Sequence, residues 1–184
     1  MMYDFDDTLD SFENDPDPLK FVQHLRAPEF HWFFVQGAKA IRTGLYVPGV
    51  SALLNGIEAS LRVTIAQLEA EGSVDALSPY RVLSNNLIVN AQELSVPVSG
   101  LAFPGESEFF TKLATQKPNR IDVELVRQRN NICHGNVFNY VNSDLGIDNT
   151  FFTPECLRDL SDSLIEVSKQ WSEELGGFRR SIGF

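Results

Sequence analysis

Residues 125–136, Leu-Val-Arg-Gln-Arg-Asn-Asn-Ile-Cys-His-Gly-Asn, decide how this chain is read. At about 100° per residue on a helix, Leu125, Val126, Ile132 and Cys133, together with the preceding Ile121, make one apolar stripe. Arg127, Asn130, Asn131 and His134 gather on the other side. A face that only meets water is built from Glu and Lys. Two consecutive asparagines compete with the helical backbone for hydrogen bonds and need a further reason to be there. Gly135 is the expected left-handed residue just past a helix end, which puts His134 on the last turn. There the macrodipole and the free carbonyls favour an imidazolium, which suits a histidine that gains and loses a proton near neutral pH.

Working outward, the flanking sequence is helical in pattern. Pro118-Asn119 predicts the start of the motif helix, with Asn119 as its cap. Downstream, Thr153-Pro154-Glu155 reads as cap, first-turn proline and first-turn acid of a last helix that runs to Gly176-Gly177. Within it Leu157, Leu160, Leu164, Val167 and Trp171 alternate by three and four, the seam of a helix packed against neighbours. Upstream, Val50, Leu54, Ile57, Leu61, Ile65 and Leu68 give the clearest period in the chain and predict a helix over 50–71, the central packing partner. Glu58 and Arg62 stand four apart on its flank, an intrahelical pair, and Glu58 is also a carboxylate that can orient Arg129. An aromatic run with Phe21, Phe30, Trp32, Phe33 and Phe34 predicts a first helix over 19–43 with a break at Pro28. Gly44 and Pro48-Gly49 mark its stop. A further helix is expected over 78–94, a loop over 95–105 with two prolines and two glycines, and a short helix over 106–115. The fold class is therefore all-α, an antiparallel bundle of about five helices.

Composition sets bounds. The chain has 184 residues, 43% hydrophobic and 22% charged, which predicts one domain with a sizeable core over 19–184. Residues 1–18 are acidic and proline-punctuated and are expected to be flexible. They contain Asp4-Phe5-Asp6-Asp7-Thr8, which has the outline of a phosphatase nucleophile motif. That chemistry needs a buried strand before the first Asp, and only Met-Met-Tyr precede it. The net charge of −10 argues against general nucleic-acid binding, so any RNA must be met at a small basic cleft. Lys112, Lys117 and Arg120 are the local basic enrichment before the motif; all three are candidate phosphate contacts, with surface solvation the commoner role for such bases. Phe138 and Tyr140, just behind the histidine, are rings able to stack on an unpaired base or to anchor the loop. His24 and His31 have no ligand-spaced partner and are expected to be a surface or hydrogen-bonded core histidine each. No His, Cys or carboxylate cluster has metal-ligand spacing, so neither metal nor cofactor is expected. Two cysteines, no apolar leader and no membrane-length apolar run point to a reduced, cytoplasmic protein with no membrane partner.

The run Arg129-Asn130-Asn131-Ile132-Cys133-His134-Gly135 resembles the R-N-x-x-x-H signature of the HEPN superfamily, small all-α dimers that include many metal-independent endoribonucleases. In that pattern an Arg precedes the His by four to six intervening residues, usually with a polar residue after the Arg. Arg129 fits with four and Arg127 with six. The resemblance implies a homodimer with motif helices facing each other, RNA as substrate, and in toxin–antitoxin or defence settings a protein antitoxin or regulator as partner. It implies catalytic roles for Arg129, His134 and Asn130, with Arg127, Asn131, Lys117, Arg120 and Tyr140 on the substrate side. Some members carry a modifiable Tyr two residues after the His; Asn136 stands there in this chain. On an ideal helix Arg129 projects about 140° away from His134, into the apolar stripe. It therefore reaches a shared cleft across a dimer seam, or the helix loosens at its end, or the arginine turns inward to a carboxylate such as Glu58. A non-catalytic dimer that binds RNA, a nucleotide or a protein is the alternative function. A purely structural dimer is the third.

Overall fold

The computed structural model describes residues 18–70, 77–141 and 151–184. The acidic segment expected to be flexible, apart from Pro18, and the phosphatase-like run within it lie outside the described residues, as does most of the polar stretch after Tyr140. Within them the chain is all-α. It forms seven α-helices: α1 Lys20–Leu25, α2 His31–Arg42, α3 Tyr46–Glu69, α4 Asn85–Glu93, α5 Phe109–Leu113, α6 Glu124–Cys133 and α7 Arg158–Ser181. No strand occurs among the described residues. The rise from about five helices comes mainly from the break near Pro28, which separates α1 from α2. Arg26 there takes a left-handed conformation at φ 48° and closes α1 through its N–H to the Val22 carbonyl.

Two 24-residue helices, α3 and α7, carry the core. The periodic residues of α3 from Val50 to Ile65 are buried, and Leu53, Gly56, Ser60 and Thr64 join them, so this helix is covered on nearly all sides. All five seam residues are buried, four on α7 and Leu157 in the 3-10 turn Pro154–Leu157 that precedes it, so Thr153-Pro154-Glu155 opens that turn and the α-helix starts at Arg158. The two helices are tied by polar contacts inside the core. The Trp171 indole N–H donates to Ser60 Oγ at 2.8 Å, and Arg179 donates to Thr64 Oγ1 at 3.2 Å and Gln67 Oε1 at 2.6 Å. A buried indole N–H without such a partner costs on the order of 1–3 kcal/mol.

Among the boundaries that differ from the sequence reading, three are decided by neighbouring helices. Pro48-Gly49 does not end a helix: α3 begins at Tyr46, with Pro48 in its first turn where its missing N–H costs nothing. Gly49 lies against α2, where a Cβ would come within 2.5 Å of Ile41 Cγ1, so the glycine permits close helix packing. The stop itself falls at Thr43-Gly44, with Gly44 at φ 76°. Likewise α7 runs through Gly176-Gly177 to Ser181. A Cβ on Gly176 would sit 2.0 Å from the His24 carbonyl oxygen, so this glycine lets the end of α1 approach α7 and does not mark an exit. The helix expected over 78–94 is confined to Asn85–Glu93, capped by the Ser84 hydroxyl. Residues before it form turns and bends tied to side chains of α3: Arg62 donates to the Ser78 carbonyl, Glu69 accepts from Arg81 and Glu58 accepts the Leu83 N–H.

The aromatic run divides. Phe21, Phe30 and Phe34 are in the core, whereas Trp32 and Phe33 are exposed. His31 is buried with Nδ1 unbonded, and burial pushes its imidazole below the usual 6.5 against the opposing charge of Glu29. His24, on α1, is half-buried against α7, with Nδ1 3.5 Å from Ser172 Oγ and 3.9 Å from Glu173 Oε1. No helix among the described residues is long and apolar enough to cross a membrane.

Candidate functional site

The motif helix α6 is ten residues long, shorter than the pattern predicts at its start. Asn119 does not cap it. The cap position is Val123, in extended conformation at ψ 157° with no side-chain cap of its own. The reason lies in two residues far away in sequence. Asn85, 2% exposed, accepts from the Val123 N–H at 3.2 Å and donates to the Ile121 carbonyl at 2.9 Å, which fixes the lead-in as extended chain. Glu106 Oε1 accepts the Glu124 N–H at 2.9 Å, replacing the missing cap and placing a negative charge at the positive end of the helix. Held this way, Ile121 is exposed and is not part of the apolar stripe. Within α6 only Leu125 and Val126 are buried; Ile132 is half-buried and Cys133 is exposed.

The other end matches the sequence. His134 is the cap residue and Gly135 follows at φ 68°. The Asn136 N–H reaches the Asn131 carbonyl at 2.9 Å and the Gly135 N–H reaches that of Ile132 at 3.3 Å, the paired bonds of a Schellman end. The imidazole is exposed and, among the described residues, has no hydrogen-bond or ion-pair partner.

Arg129 turns inward. Its Nη2 donates to Glu58 Oε2 at 3.3 Å, and Nη1 lies 3.4 Å from Asn130 Oδ1. Glu58 is a junction: the same oxygen accepts the Leu83 N–H at 2.8 Å, and Oε1 lies 3.5 Å from Arg62 Nη1. Arg62 in turn donates to the Ser78 carbonyl at 2.7 Å. Both Arg129 and Glu58 are mostly covered, with side chains 18% and 14% exposed. One carboxylate on α3 thus fixes the motif arginine and the segment before α4. Among the described residues neither the Arg129 nor the Asn130 side chain is bonded to the His134 imidazole; the only link is along the backbone, where the His134 N–H donates to the Asn130 carbonyl at 3.0 Å.

Arg127 turns outward and holds Glu124 with two bonds, Nε to Oε2 at 2.8 Å and Nη2 to Oε1 at 2.6 Å. Gln128 also donates to Glu124, and its own oxygen accepts the Tyr140 O–H at 2.6 Å. Burial pushes the Glu124 carboxyl up, but the hydrogen bonds from Arg127 and Gln128 and the charges of Arg127 and Lys112 outweigh it. The net position is below the ordinary value. Burial raises the Tyr140 phenol, with a hydrogen bond from Asn131 working the other way. Tyr140 therefore anchors its loop to α6, while Phe138 is exposed.

Between α6 and the start of α7 lies a cleft of about 360 Å³, lined on one side by Arg127, Gln128, Asn131 and Tyr140 and on the other by Cys156, Asp159 and Ser163. Three residues proposed from the sequence for the substrate side therefore meet: Arg127, Asn131 and Tyr140. Lys117 and Arg120 are not among its lining; Lys117 is exposed and Arg120 Nε lies 3.4 Å from Asp122. Lys112 is neutralised by Glu106 at 2.8 Å. The pattern missed Asn85 and Glu106, whose partners are far apart in sequence. It also passed over Glu124, whose spacing of three and four from Arg127 and Gln128 is legible on a helix. Among the described residues no group of three or more His, Cys, Asp or Glu is placed to hold a metal ion. Comparisons with protein families, curated proteins and solved structures find no match to this chain.

Proposed function

We propose that this chain is a HEPN-like, metal-independent endoribonuclease, a helical bundle that pairs as a two-fold dimer with the α6 helices facing each other. The observation that carries the reading is the division of labour at the two halves of the motif. Arg129 is held in one orientation by Glu58, while His134, on a Schellman-closed helix end, is exposed and unpartnered within the described residues. A proton-transfer group needs freedom and solvent contact; a charge-stabilising group needs to be fixed before the reaction.

In this mechanism the RNA's 2′-oxygen attacks the adjacent phosphorus as its proton passes to a base, and the 5′-oxygen of the next nucleotide leaves with a proton. The products are a 2′,3′-cyclic phosphate and a 5′-hydroxyl. His134 serves as base or acid, Arg129, oriented by Glu58, meets the extra negative charge on the phosphoryl oxygens, and Asn130 orients the phosphate or the imidazole. Arg127, Asn131 and Tyr140 meet the RNA beside the scissile bond, with Lys117 and Arg120 as outlying phosphate contacts. DNA lacks the nucleophile and resists.

A second reading, a non-catalytic dimer that binds RNA, a nucleotide or a protein, is favoured by the charge balance: Glu58 already neutralises Arg129, and the chain carries −10. Cleavage of labelled total RNA in EDTA decides between them. The expected result is fragments ending in 2′,3′-cyclic phosphate from wild type, reduced roughly 10²-fold or more in His134→Ala at unchanged folding, with single-stranded DNA intact. Absence of cutting by the folded wild-type dimer overturns the enzyme and leaves the binder.

A further inference from the structure

The cleft between α6 and α7 lies beside the proposed chemistry but is poorly built for phosphate. Its one cation, Arg127, is held by Glu124 with two hydrogen bonds. Asp159, on the opposite wall, adds a carboxylate that is exposed and has no partner among the described residues. An anion entering here meets two carboxylates against one occupied guanidinium. A neutral, flat ligand with hydrogen-bond donors on its edge meets the reverse. The volume of about 360 Å³ is at the small end of ligand pockets, and Phe103 and Leu160 give it an apolar floor.

We infer that this cleft is a base-recognition pocket that takes one unpaired guanine of the RNA; the ligand class rests on the endoribonuclease reading. The available polar groups select the base. Asp159 offers two adjacent acceptors. Asn131 already uses its oxygen to accept from Asn136 at 3.3 Å, while its amide nitrogen carries two donors, of which Tyr140 engages at most one. Guanine presents two adjacent donors, N1–H and the N2 amino group, beside the O6 acceptor, so a carboxylate and an amide N–H complement it. Adenine and cytosine turn a ring-nitrogen lone pair toward the same carboxylate, and uracil flanks its single N–H with two carbonyls. All three bring acceptor against acceptor. Good paired contacts of this kind separate one base from another by roughly tenfold or more. Tyr140, tethered to Gln128, supplies a ring held in place for stacking.

The test is calorimetric titration of the full chain with guanosine, adenosine, cytidine and uridine, nucleosides that bring no phosphate charge to an acidic protein. Guanosine is expected to bind roughly tenfold or more tightly than the others. Asp159→Asn should lose that preference with the cooperative urea transition retained, because the Asp159 side chain is exposed, has no partner among the described residues, and contributes only the small stabilisation of a first-turn acid. Equal binding of the four nucleosides, no binding of any, or a guanosine preference that survives in Asp159→Asn overturns the pocket. RNA cleavage in EDTA, run alongside, separates this inference from the function it rests on. Selective guanosine binding without RNA cutting removes the nuclease and keeps the pocket. Cutting without guanine preference, in a protein that binds no guanosine, keeps the nuclease and removes the pocket.

Discussion

Arg127 and Arg129 stand two residues apart on one helix, and the molecule uses them in opposite ways. Two helical steps rotate a side chain by about 200°, so one faces the core and the other the solvent. Arg127 pairs with a glutamate three residues before it, and its side chain is 59% exposed. Arg129 pairs with a glutamate 71 residues away that also holds a backbone N–H and a second arginine. The first pair is a local surface contact of the kind worth about 0.3–1 kcal/mol. The second is a tertiary junction, and removing its centre strands two donors at once and takes the ion-pair partner from Arg62. Similar chemistry therefore gives adaptable contact on one face and fixed geometry on the other.

The largest expected effect is on activity. If the proposed function holds, Arg129→Lys should lower RNA cleavage by roughly 10²-fold, because an ammonium cannot hold Glu58 and a phosphoryl oxygen in the fixed geometry of a guanidinium. Arg127→Lys should change it only a few-fold; equal losses in both variants would erase the distinction between the two arginines. Stability comes next. Glu58→Ala leaves Arg129 and the Leu83 N–H without their acceptor and should cost about 2–4 kcal/mol in urea denaturation. A loss no greater than that of Glu124→Ala, expected below about 1 kcal/mol, would break the comparison.

Asn85→Ala sharpens it from a third position. It strips partners from Val123 N–H and the Ile121 carbonyl at the start of α6 and should cost about 1–3 kcal/mol, with faster amide exchange at Val123. The smallest effect is in pH. The folded state holds the Glu124 carboxyl below its ordinary 4.5, so it contributes stability that is present above that value and fades as pH falls through the folded pKa. Glu124→Gln should flatten the acid side of a melting-temperature profile and leave the neutral region nearly unchanged. An identical acid limb in wild type and variant would show that Glu124 gains nothing from Arg127.

What was legible in the sequence was local. Periodicity in α3 and α7 marked the core because apolar residues at helical spacing have to be buried together, and Leu157, Leu160, Leu164, Val167 and Trp171 all are. The end of α6 was readable because Gly135 is the residue that tolerates a positive φ. Signals that depend on partners elsewhere misled. Asn119 resembles a cap, yet Asn85 and Glu106 decide where α6 starts. Gly49 and Gly176-Gly177 resemble stops, yet the first two of these glycines sit where helices approach too closely for a side chain.

By itself the sequence determined that this chain is helical, where its longest helices run, and that residues 125–136 concentrate unusual polar chemistry at a helix end. Those properties follow from rotation per residue and from the conformational limits of single amino acids. Only the tertiary structure decided that Arg129 is spent on Glu58 and that Arg127, Asn131 and Tyr140 share a cleft with Asp159. The physical reason is distance along the chain. A helix fixes the direction in which a side chain leaves the backbone, but what it meets there is supplied by segments tens of residues away, and a charge is defined by its partner as much as by its own group.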